Sequence, residues 1–112
     1  MNQNWLNFLG IAFSAGAIIT GEEMVVKSIQ SGKAHLVILA EDLSPNTYKK
    51  VTDKCRFYGV EVHQKATSEE IGQAIGKSFR KVIGITDRNF ARALKKKLGT
   101  DGLIELLPLE EN

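Results

Sequence analysis

Hydrophobic and polar positions alternate along the chain with two different periods. Trp5, Leu9 and Phe13 recur near helical spacing and predict an amphipathic helix at the start of the chain. Short apolar or alternating runs predict strands, and these runs occupy residues 17–19, 36–40, 60–63 and 82–85. A helical pattern precedes each strand and follows the last one. The prediction is therefore an α/β protein, a three-layer α/β/α sandwich around a central mixed four-stranded sheet.

Residues that favour helix ends separate these segments. Ser44 followed by Pro45 is typical of an N-cap and the first helical residue. Gly59 can adopt the left-handed conformation that ends a helix, and Gly32 is predicted to end the preceding helix in the same way. Two Thr-x-x-Glu segments fit capping boxes, in which each side chain bonds the other residue's backbone amide; they are Thr20–Glu23 and Thr67–Glu70.

The composition limits the class of protein. With 112 residues, 43% of them hydrophobic and 25% charged, the chain has the material for one folded domain and its core. No apolar run approaches the roughly 20 residues that cross a bilayer, so no membrane association is expected. The first residues lack the basic and apolar regions of a secretory signal. A lone cysteine excludes an internal disulfide, and we expect a reducing, cytoplasmic location.

Charge is distributed unevenly along the chain. The formal net charge is only +2, but residues 100–112 contain four of the 13 acidic residues and no Lys or Arg. The 15 basic and 9 acidic residues that remain give residues 1–99 a net charge of +6. We therefore expect a single domain over residues 1–99, followed by an acidic tail over residues 100–112. A basic body favours a polyanionic partner.

The patterns of known catalytic and cofactor sites are absent from the sequence. There is no Gly-x-Ser-x-Gly nucleophile elbow, no phosphate-binding P-loop and no dinucleotide fingerprint. His35 and His63 stand at strand ends without a second ligand at metal-binding spacing, so positions at the surface or at a strand edge are expected for both. Cys55 falls on the apolar stripe of its helix and is expected to be buried and inert. The sequence thus predicts a protein that is not an enzyme and that uses no metal or cofactor.

Three strand-to-helix loops are expected to lie at one edge of the sheet. In open α/β sheets, ligands bind beyond the carboxyl ends of strands, where helix N-termini present free amides. The loops are residues 20–23, 41–44 and 65–68, and the basic residues expected to flank them are Lys27, Lys33 and Lys65. Amides, hydroxyls and lysines gathered there can hold phosphate oxygens. The alternative is that the acids and hydroxyls of these loops only cap helices.

The segment around the second helix resembles the signature of the ribosomal L7Ae/L30e family. It reads Ile-Ile-Thr-Gly-Glu-Glu-Met-Val-Val-Lys-Ser-Ile-Gln-Ser-Gly-Lys-Ala over residues 18–34. Three further features follow in the family's order: the apolar run at 36–40 with Glu-Asp-Leu-Ser-Pro after it, Tyr-Gly-Val at 58–60, and Ile-Gly-Gln-Ala-Ile-Gly at 71–76. The resemblance covers residues 3–98, and within the family it is greatest to the bacterial YlxQ-type members.

The resemblance implies an RNA-binding α/β/α sandwich that recognises kink-turns or related loops of structured, usually ribosomal, RNA. The family's motif is Gly-x-Asn-Glu-x-x-Lys at the start of the second helix, and Gly21 and Lys27 match its two ends. Glu23 and Met24 stand where the family has the Asn and Glu that read sheared G·A pairs. The RNA-binding residues that follow from the resemblance and the loops are Gly21, Glu22, Glu23, Lys27, Lys33, Asp42, Ser44 and Lys65.

The sequence leaves two alternatives open. Glu23 either caps its helix or accepts hydrogen bonds from guanine, since an ionised carboxylate only accepts. The chain is either an RNA-binding protein, with structured RNA and proteins of a ribonucleoprotein particle as partners, or a protein-interaction module whose apolar, acidic tail docks on another protein. A monomer is expected in both cases. A hydrolase that acts through the loop carboxylates has no nucleophile or base at a suitable spacing.

Overall fold

The computed structural model describes residues 4–107, and this part of the chain alternates helices with strands. The helices are α1 (Asn4–Ser14), α2 (Glu22–Gln30), α3 (Pro45–Tyr58), α4 (Ser68–Ala74) and α5 (Arg88–Leu98). The strands are β1 (Ile18–Thr20), β2 (Leu36–Leu39), β3 (Glu61–Gln64) and β4 (Val82–Ile85). The predicted number and order of elements are therefore confirmed over the described residues.

The four strands form one mixed sheet in the order β1-β4-β2-β3. β2 and β3 are parallel, with Leu36 opposite Glu61, whereas β4 runs antiparallel to both of its neighbours, β1 and β2. β1, β2 and β3 consequently point the same way, and β4 points the other way between them. Every residue of β2 is buried, as the continuous apolar run predicted for a central strand.

Helices cover both faces of the sheet and give the molecule two cores. On one face, α1, α4 and α5 pack on alternate strand residues such as Ile38 and Ile83. On the other face, α2 and α3 pack on the intervening residues, including Val37 and Leu39. Because successive strand residues point to opposite faces, the single apolar run of β2 supplies both cores. The predicted three-layer sandwich with a mixed four-stranded sheet is confirmed.

Local signals explain most of the helix ends. The Ser44 hydroxyl accepts from the Thr47 amide in front of Pro45, and Gly59 ends α3 with φ +70°. Thr67 and Glu70 form the predicted capping box. The box predicted at Thr20–Glu23 is wrong: Thr20 is the last residue of β1, the N-cap of α2 is Gly21, and no side chain caps this helix. Strand pairing with β4 holds Thr20 in the sheet, so its hydroxyl is not available to the helix.

A close backbone approach shapes the connection between α4 and β4. A Cβ atom on Gly72 would lie 1.9 Å from the Ser78 carbonyl oxygen, so only glycine allows this part of the chain to fold back over α4. Residues 75–81, which join α4 to β4, are called the α4–β4 connection below. Its position against Gly72 fixes where its side chains are presented.

Residues after α5 return along the outer edge of β3. The Gln64 amide donates to the Gly102 carbonyl, and the Ile104 amide donates to the Val62 carbonyl. Ile104 and Leu106 pack against the core formed with α2 and α3. At least the described part of the predicted acidic tail therefore covers an edge strand that would otherwise present unpaired backbone groups.

His63 is enclosed by this returning segment. Its side chain is fully buried, with Nδ1 2.7 Å from the Asp101 carbonyl oxygen and Nε2 2.7 Å from a carboxylate oxygen of Glu61. The expectation of a surface or strand-edge histidine is wrong for His63, because residues 101–104 cover the edge of β3. Within residues 4–107, none of the helices combines the length and the apolar character needed to cross a membrane.

Candidate functional site

The topology gathers four connections at one edge of the sheet. β1, β2 and β3 all end there, and the antiparallel β4 begins there. Backbone hydrogen bonds join these connections, including Gly21 to Val82, Ala40 to Lys81 and Glu41 to Ala66. We call this surface the loop edge; it consists of residues 21–22, 40–44, 65–67 and 75–81. The three predicted loops do converge, and the α4–β4 connection joins them.

Gly21 lies at the centre of the loop edge in a conformation that favours glycine. Its φ is +100°, and within residues 4–107 no atom beyond its two chain neighbours lies within 4 Å of the position that a Cβ would occupy. The surface in front of Gly21 is therefore open, and the absence of a side chain lets another molecule approach the backbone closely. The first turn of α2, which follows directly, has no side-chain cap. Its exposed end carries the positive pole of the helix dipole.

Glu22 connects the first loop to α3 and is not free to meet a ligand. One carboxylate oxygen accepts a hydrogen bond of 2.8 Å from the Thr47 hydroxyl, and the other lies 3.1 Å from the Lys50 ammonium. The Thr47 hydrogen bond, followed by the contact with Lys50, lowers the pKa of Glu22. The negative charge of Glu22 is thus largely offset by Lys50, and its role is to hold the first two loops together.

Asp42 connects the second loop to the third loop through hydrogen bonds of its carboxylate. Its carboxylate accepts from both the hydroxyl and the backbone amide of Ser68, at 2.5 and 2.8 Å. These hydrogen bonds, with the hydroxyl contributing most, lower the pKa of Asp42. Ser44 is likewise occupied, since it caps α3 through Thr47. For these two residues, the capping alternative describes the contacts that are present.

The lowered pKa of Asp42 gives the stability a defined pH dependence. An acid with a lowered folded-state pKa stabilises the fold above its unfolded pKa, and that contribution disappears as the pH falls through the folded-state pKa. We expect Asp42→Asn to reduce stability at neutral pH and to reduce the loss of stability on going below about pH 4. Urea unfolding of native and variant chains across this range tests the expectation. Glu69→Gln is the control, because it removes an exposed carboxylate from the turn of α4 that Asp42 bonds. This variant should show the same dependence of unfolding free energy on pH as the native chain.

Lys27 and Lys33 line a groove along α2 rather than the loop edge itself. The groove has a volume of about 400 Å³ and lies beside the edge strand β1, with Ile19 and Met24 also in its wall. Lys27 is exposed one turn into α2, on the same side as Met24, whose side chain is 55% exposed. Lys33 follows the end of α2 and precedes β2, so it lies at the far edge of the sheet. The expectation that Lys33 flanks the three loops is therefore wrong.

Glu23 and Lys65 differ in how free they are. Glu23 is exposed in the first turn of α2 and makes no capping bond. Lys65 is half-buried, with its ammonium 3.8 Å from a carboxylate oxygen of Asp101 in the returning segment. Glu23 therefore presents its carboxylate to solvent beside Gly21, whereas Lys65 is directed towards the β3 side of the molecule.

The α4–β4 connection supplies candidate site residues that the sequence reasoning missed. Phe79 is 63% exposed between Ser78 and Arg80, and Lys81 follows. Together with Gly21, Glu22 and Ser44, the residues Phe79, Arg80 and Lys81 line a groove of about 280 Å³ at the loop edge. The signal in the sequence was the run Lys-Ser-Phe-Arg-Lys, an aromatic residue among cations. It was overlooked because only the antiparallel direction of β4 brings this run to the same edge as the three loops.

The groups that the structure brings together at the loop edge are suited to binding. Arg80, Lys81 and the exposed ring of Phe79 line a groove with the open Gly21, and two of the nearby acids, Glu22 and Asp42, are hydrogen-bonded to protein groups. Cys55 is buried, which raises the pKa of its thiol to about 12 and leaves it without thiolate character. Among residues 4–107, no group of three His, Cys, Asp or Glu side chains is arranged to hold a metal ion.

The sequence matches a known family and named relatives. The family described as "Ribosomal protein L7Ae/L30e/S12e/Gadd45 family" matches residues 3–96. A protein of Bacillus subtilis (strain 168) named RNA-binding protein YlxQ is 43% identical over 90 residues, which is 80% of this chain and 90% of that protein. A protein of Enterococcus faecium with the same name is 45% identical over 94 residues, covering 84% of this chain and 90% of the relative.

Solved structures show the same fold. A protein of unknown function from Bacillus halodurans C superimposes with a TM-score of 0.84 and 42% identity, over 87% of this chain and 98% of that one. A 15.5kD RNA binding protein of Giardia lamblia superimposes with a TM-score of 0.76 over 89% of both chains. The Giardia protein is 24% identical, so this second likeness concerns the fold alone.

Proposed function

Because the chain belongs to the Ribosomal protein L7Ae/L30e/S12e/Gadd45 family, we propose that it is a non-enzymatic RNA-binding protein. Its ligand in this proposal is a kink-turn or a related internal loop of structured RNA, with ribosomal RNA as the first candidate. The loop edge is the RNA-binding surface. The protein acts as a monomer in the cytoplasm, within or beside a ribonucleoprotein particle. The names of the two bacterial relatives support RNA as the partner.

The groove between Gly21 and Phe79 is the observation that carries this proposal. A ring that is 63% exposed, next to the guanidinium of Arg80, offers a stacking surface for a base that has left its helix. Arg80 and Lys81 supply positive charge for the phosphates on either side of that base. Sequence-specific RNA recognition usually reads such splayed bases in bulges and internal loops, because the major groove of a regular RNA duplex is too narrow.

The start of α2 suits the RNA backbone. Gly21 leaves room for close approach, and the uncapped first turn of α2 presents amides and a positive dipole end to an anion. Lys27, one turn further along the exposed side of α2, is placed to contact a phosphate. Glu23, between them, has a free carboxylate that can accept from the amino and imino groups of a guanine. Met24 can only pack against a base or sugar.

The fold removes part of the evidence for the alternative function, a protein-interaction module that docks through its tail. Five apolar residues of the tail could anchor it on a partner: Leu103, Ile104, Leu106, Leu107 and Leu109. Ile104 and Leu106 pack against this chain's own core, Leu103 and Leu107 are exposed, and Leu109 lies outside the described residues.

The three loops carry four acids, Glu22, Glu23, Glu41 and Asp42, which oppose RNA binding. Glu22 and Asp42 are bonded to Thr47, Lys50 and Ser68, whereas Glu23 and Glu41 are exposed. Arg80 and Lys81 line the loop-edge groove, and their positive charge favours a polyanion.

A gel-shift titration with two RNA hairpins tests the proposal. One hairpin contains a standard kink-turn, and the other replaces it by a regular duplex of equal length. We expect binding of the kink-turn hairpin at low salt, and affinity that falls steeply as salt is added because phosphate contacts release counterions. If the chain binds no kink-turn and no fragment of ribosomal RNA at low salt, the proposed function is wrong.

Lys27→Ala separates phosphate contact from base reading. Removal of one phosphate contact should weaken binding to all RNA sequences to a similar degree and reduce the slope of log K against log salt by about 1. Filter binding at several salt concentrations measures both effects. Lys97→Ala removes the same charge from α5, on the other face of the sheet, and should leave the slope unchanged. A selective loss for one RNA sequence would instead assign base reading to Lys27.

A further inference from the structure

A groove lined by cations and an aromatic residue lies at the edge of the sheet opposite the loop edge. At this far edge, β2 and β3 begin, β4 ends, and α5 starts. The groove has a volume of about 490 Å³, and we call it the distal groove. The residues that matter in its lining are His35, Tyr58, Gly59, Arg88, Arg92 and Lys95. None of them belongs to the loop edge.

Cations line one wall of the distal groove. Arg88, Arg92 and Lys95 are spaced four and three residues apart on α5, which places them on one side of that helix. Arg88 and Arg92 are exposed, and neither pairs with a carboxylate within residues 4–107. Only Lys95 has an acidic neighbour, since its ammonium lies 4.0 Å from Glu61. Two arginines whose backbone positions lie about 6 Å apart along the helix axis therefore carry charge that no described carboxylate pairs with.

An aromatic ring lines the distal groove together with these cations. Tyr58 lines the groove and is 43% exposed, and the neighbouring Phe57 is 65% exposed. The two rings contact each other edge to face, with centroids 4.9 Å apart. Gly59 turns the chain immediately after them, so the rings project at the end of α3 without a covering residue from that helix. Large exposed aromatic side chains beside free arginines are unusual for a surface that contacts only water.

We propose that the distal groove binds a single-stranded RNA segment, with phosphates on Arg88 and Arg92 and a base stacked on Tyr58. Arginine pairs with phosphate through two parallel hydrogen bonds, and aromatic rings accept any base, so the site is tolerant of sequence. The inference shares the class of partner with the proposed function but places it on a different surface. The chain then has two RNA sites, one for a folded loop and one for an unpaired strand.

Fluorescence anisotropy with two separate probes tests the distal groove. The first probe is a labelled oligouridylate of about ten nucleotides, which matches the lengths that single-strand sites cover. The second is the kink-turn hairpin without unpaired ends. We expect the double variant Arg88→Gln/Arg92→Gln to weaken oligouridylate binding about tenfold and to reduce its salt slope by about 1.4, the value for two lost contacts on a single strand. The affinity for the kink-turn hairpin should change less than about twofold, because neither arginine belongs to the loop edge where that hairpin is proposed to bind.

Three further measurements make the test specific. Lys97→Gln lies on the same helix but beside the Phe8 ring, and should leave oligouridylate binding as it is in the native chain. Tyr58→Ala should weaken that binding about fivefold or more, through loss of stacking. Photocrosslinking from 5-iodouridine in the oligouridylate should label the peptide that contains Phe57 and Tyr58.

The outcomes separate this inference from the proposed function. Absence of oligouridylate binding by the native chain at low salt would overturn the distal site, and so would equal affinity of the native chain and the double variant. Crosslinks confined to Phe79 would show that the single strand binds at the loop edge, and they would overturn the distal site. If the native chain fails to bind any kink-turn but the distal variants still weaken oligouridylate binding, the proposed function fails and the distal site stands.

Discussion

Replacing Glu23 by Asn and Met24 by Glu in one variant should raise the affinity for a standard kink-turn about 10- to 100-fold. These two substitutions restore the residues that the family motif carries between Gly21 and Lys27. Asn can both donate and accept hydrogen bonds at base edges, and a well-placed base contact is worth about 1–3 kcal/mol. Both native side chains are exposed, so the change should cost the fold little.

The double change has an internal control for charge. One carboxylate is removed at position 23 and one is added at position 24, so the net charge of the chain is the same before and after. A gain in affinity therefore comes from recognition and not from bulk electrostatics. Isothermal titration against the kink-turn hairpin and the regular duplex measures the effect, which should appear for the kink-turn alone. Equal affinity of the native chain and the variant would mean that Glu23 and Met24 already serve the RNA that the chain binds.

His63→Ala should lower the free energy of unfolding by about 2–4 kcal/mol. The imidazole is fully buried, and it joins β3 to the returning segment through the Asp101 carbonyl while contacting Glu61 on its own strand. Alanine leaves a cavity and removes the hydrogen-bond donor of that carbonyl. We expect the bonds of Gln64 to Gly102 and of Ile104 to Val62 to weaken with it.

Denaturant unfolding and amide hydrogen exchange test the role of His63 together. The unfolding midpoint should fall, and exchange should accelerate most at the amides of Gln64 and Ile104. His35→Ala is the matched control, because His35 is only partly buried and lies at the other end of β2 from the loop edge. A His63→Ala chain that unfolds at the native midpoint would show that the returning segment is held by its apolar residues alone.

Local signals in the sequence predicted the helix ends where the capping groups are neighbours in the chain. Ser44 with Pro45, Gly59, and Thr67 with Glu70 all act as predicted, since a cap needs only the turn that it closes. The capping prediction for Thr20 is wrong because a distant residue, and not a neighbour in the chain, determines its structure. Its conformation is set by Ile83 of β4, a residue far away in sequence, and the spacing of Thr20 and Glu23 carries no information about that pairing.

The candidate site was predictable only in part, and the missing part depends on strand direction. Parallel strand ends could be expected to gather the loops after β1, β2 and β3, and they do. The sequence pattern of β4 is the same whether the strand runs parallel or antiparallel, so the position of Phe79 and Arg80 did not follow from it. The position expected for Lys33 is wrong because the full length of α2 separates Lys33 from the loop that begins this helix. His63 was misjudged because the segment that buries it comes from beyond α5.

The position of β4 inside the sheet also determines when, during synthesis of the chain, the loop edge can form. Within residues 4–107, β1 has β4 as its only strand partner, and β4 is completed only at Ile85. A nascent chain that has emerged as far as α4 therefore has an unpaired first strand and no α4–β4 connection against Gly21. Long-range pairing of this kind must await the later segment during synthesis. The loop edge is thus among the last features to be assembled, and we expect incomplete chains to lack the surface proposed above to bind RNA.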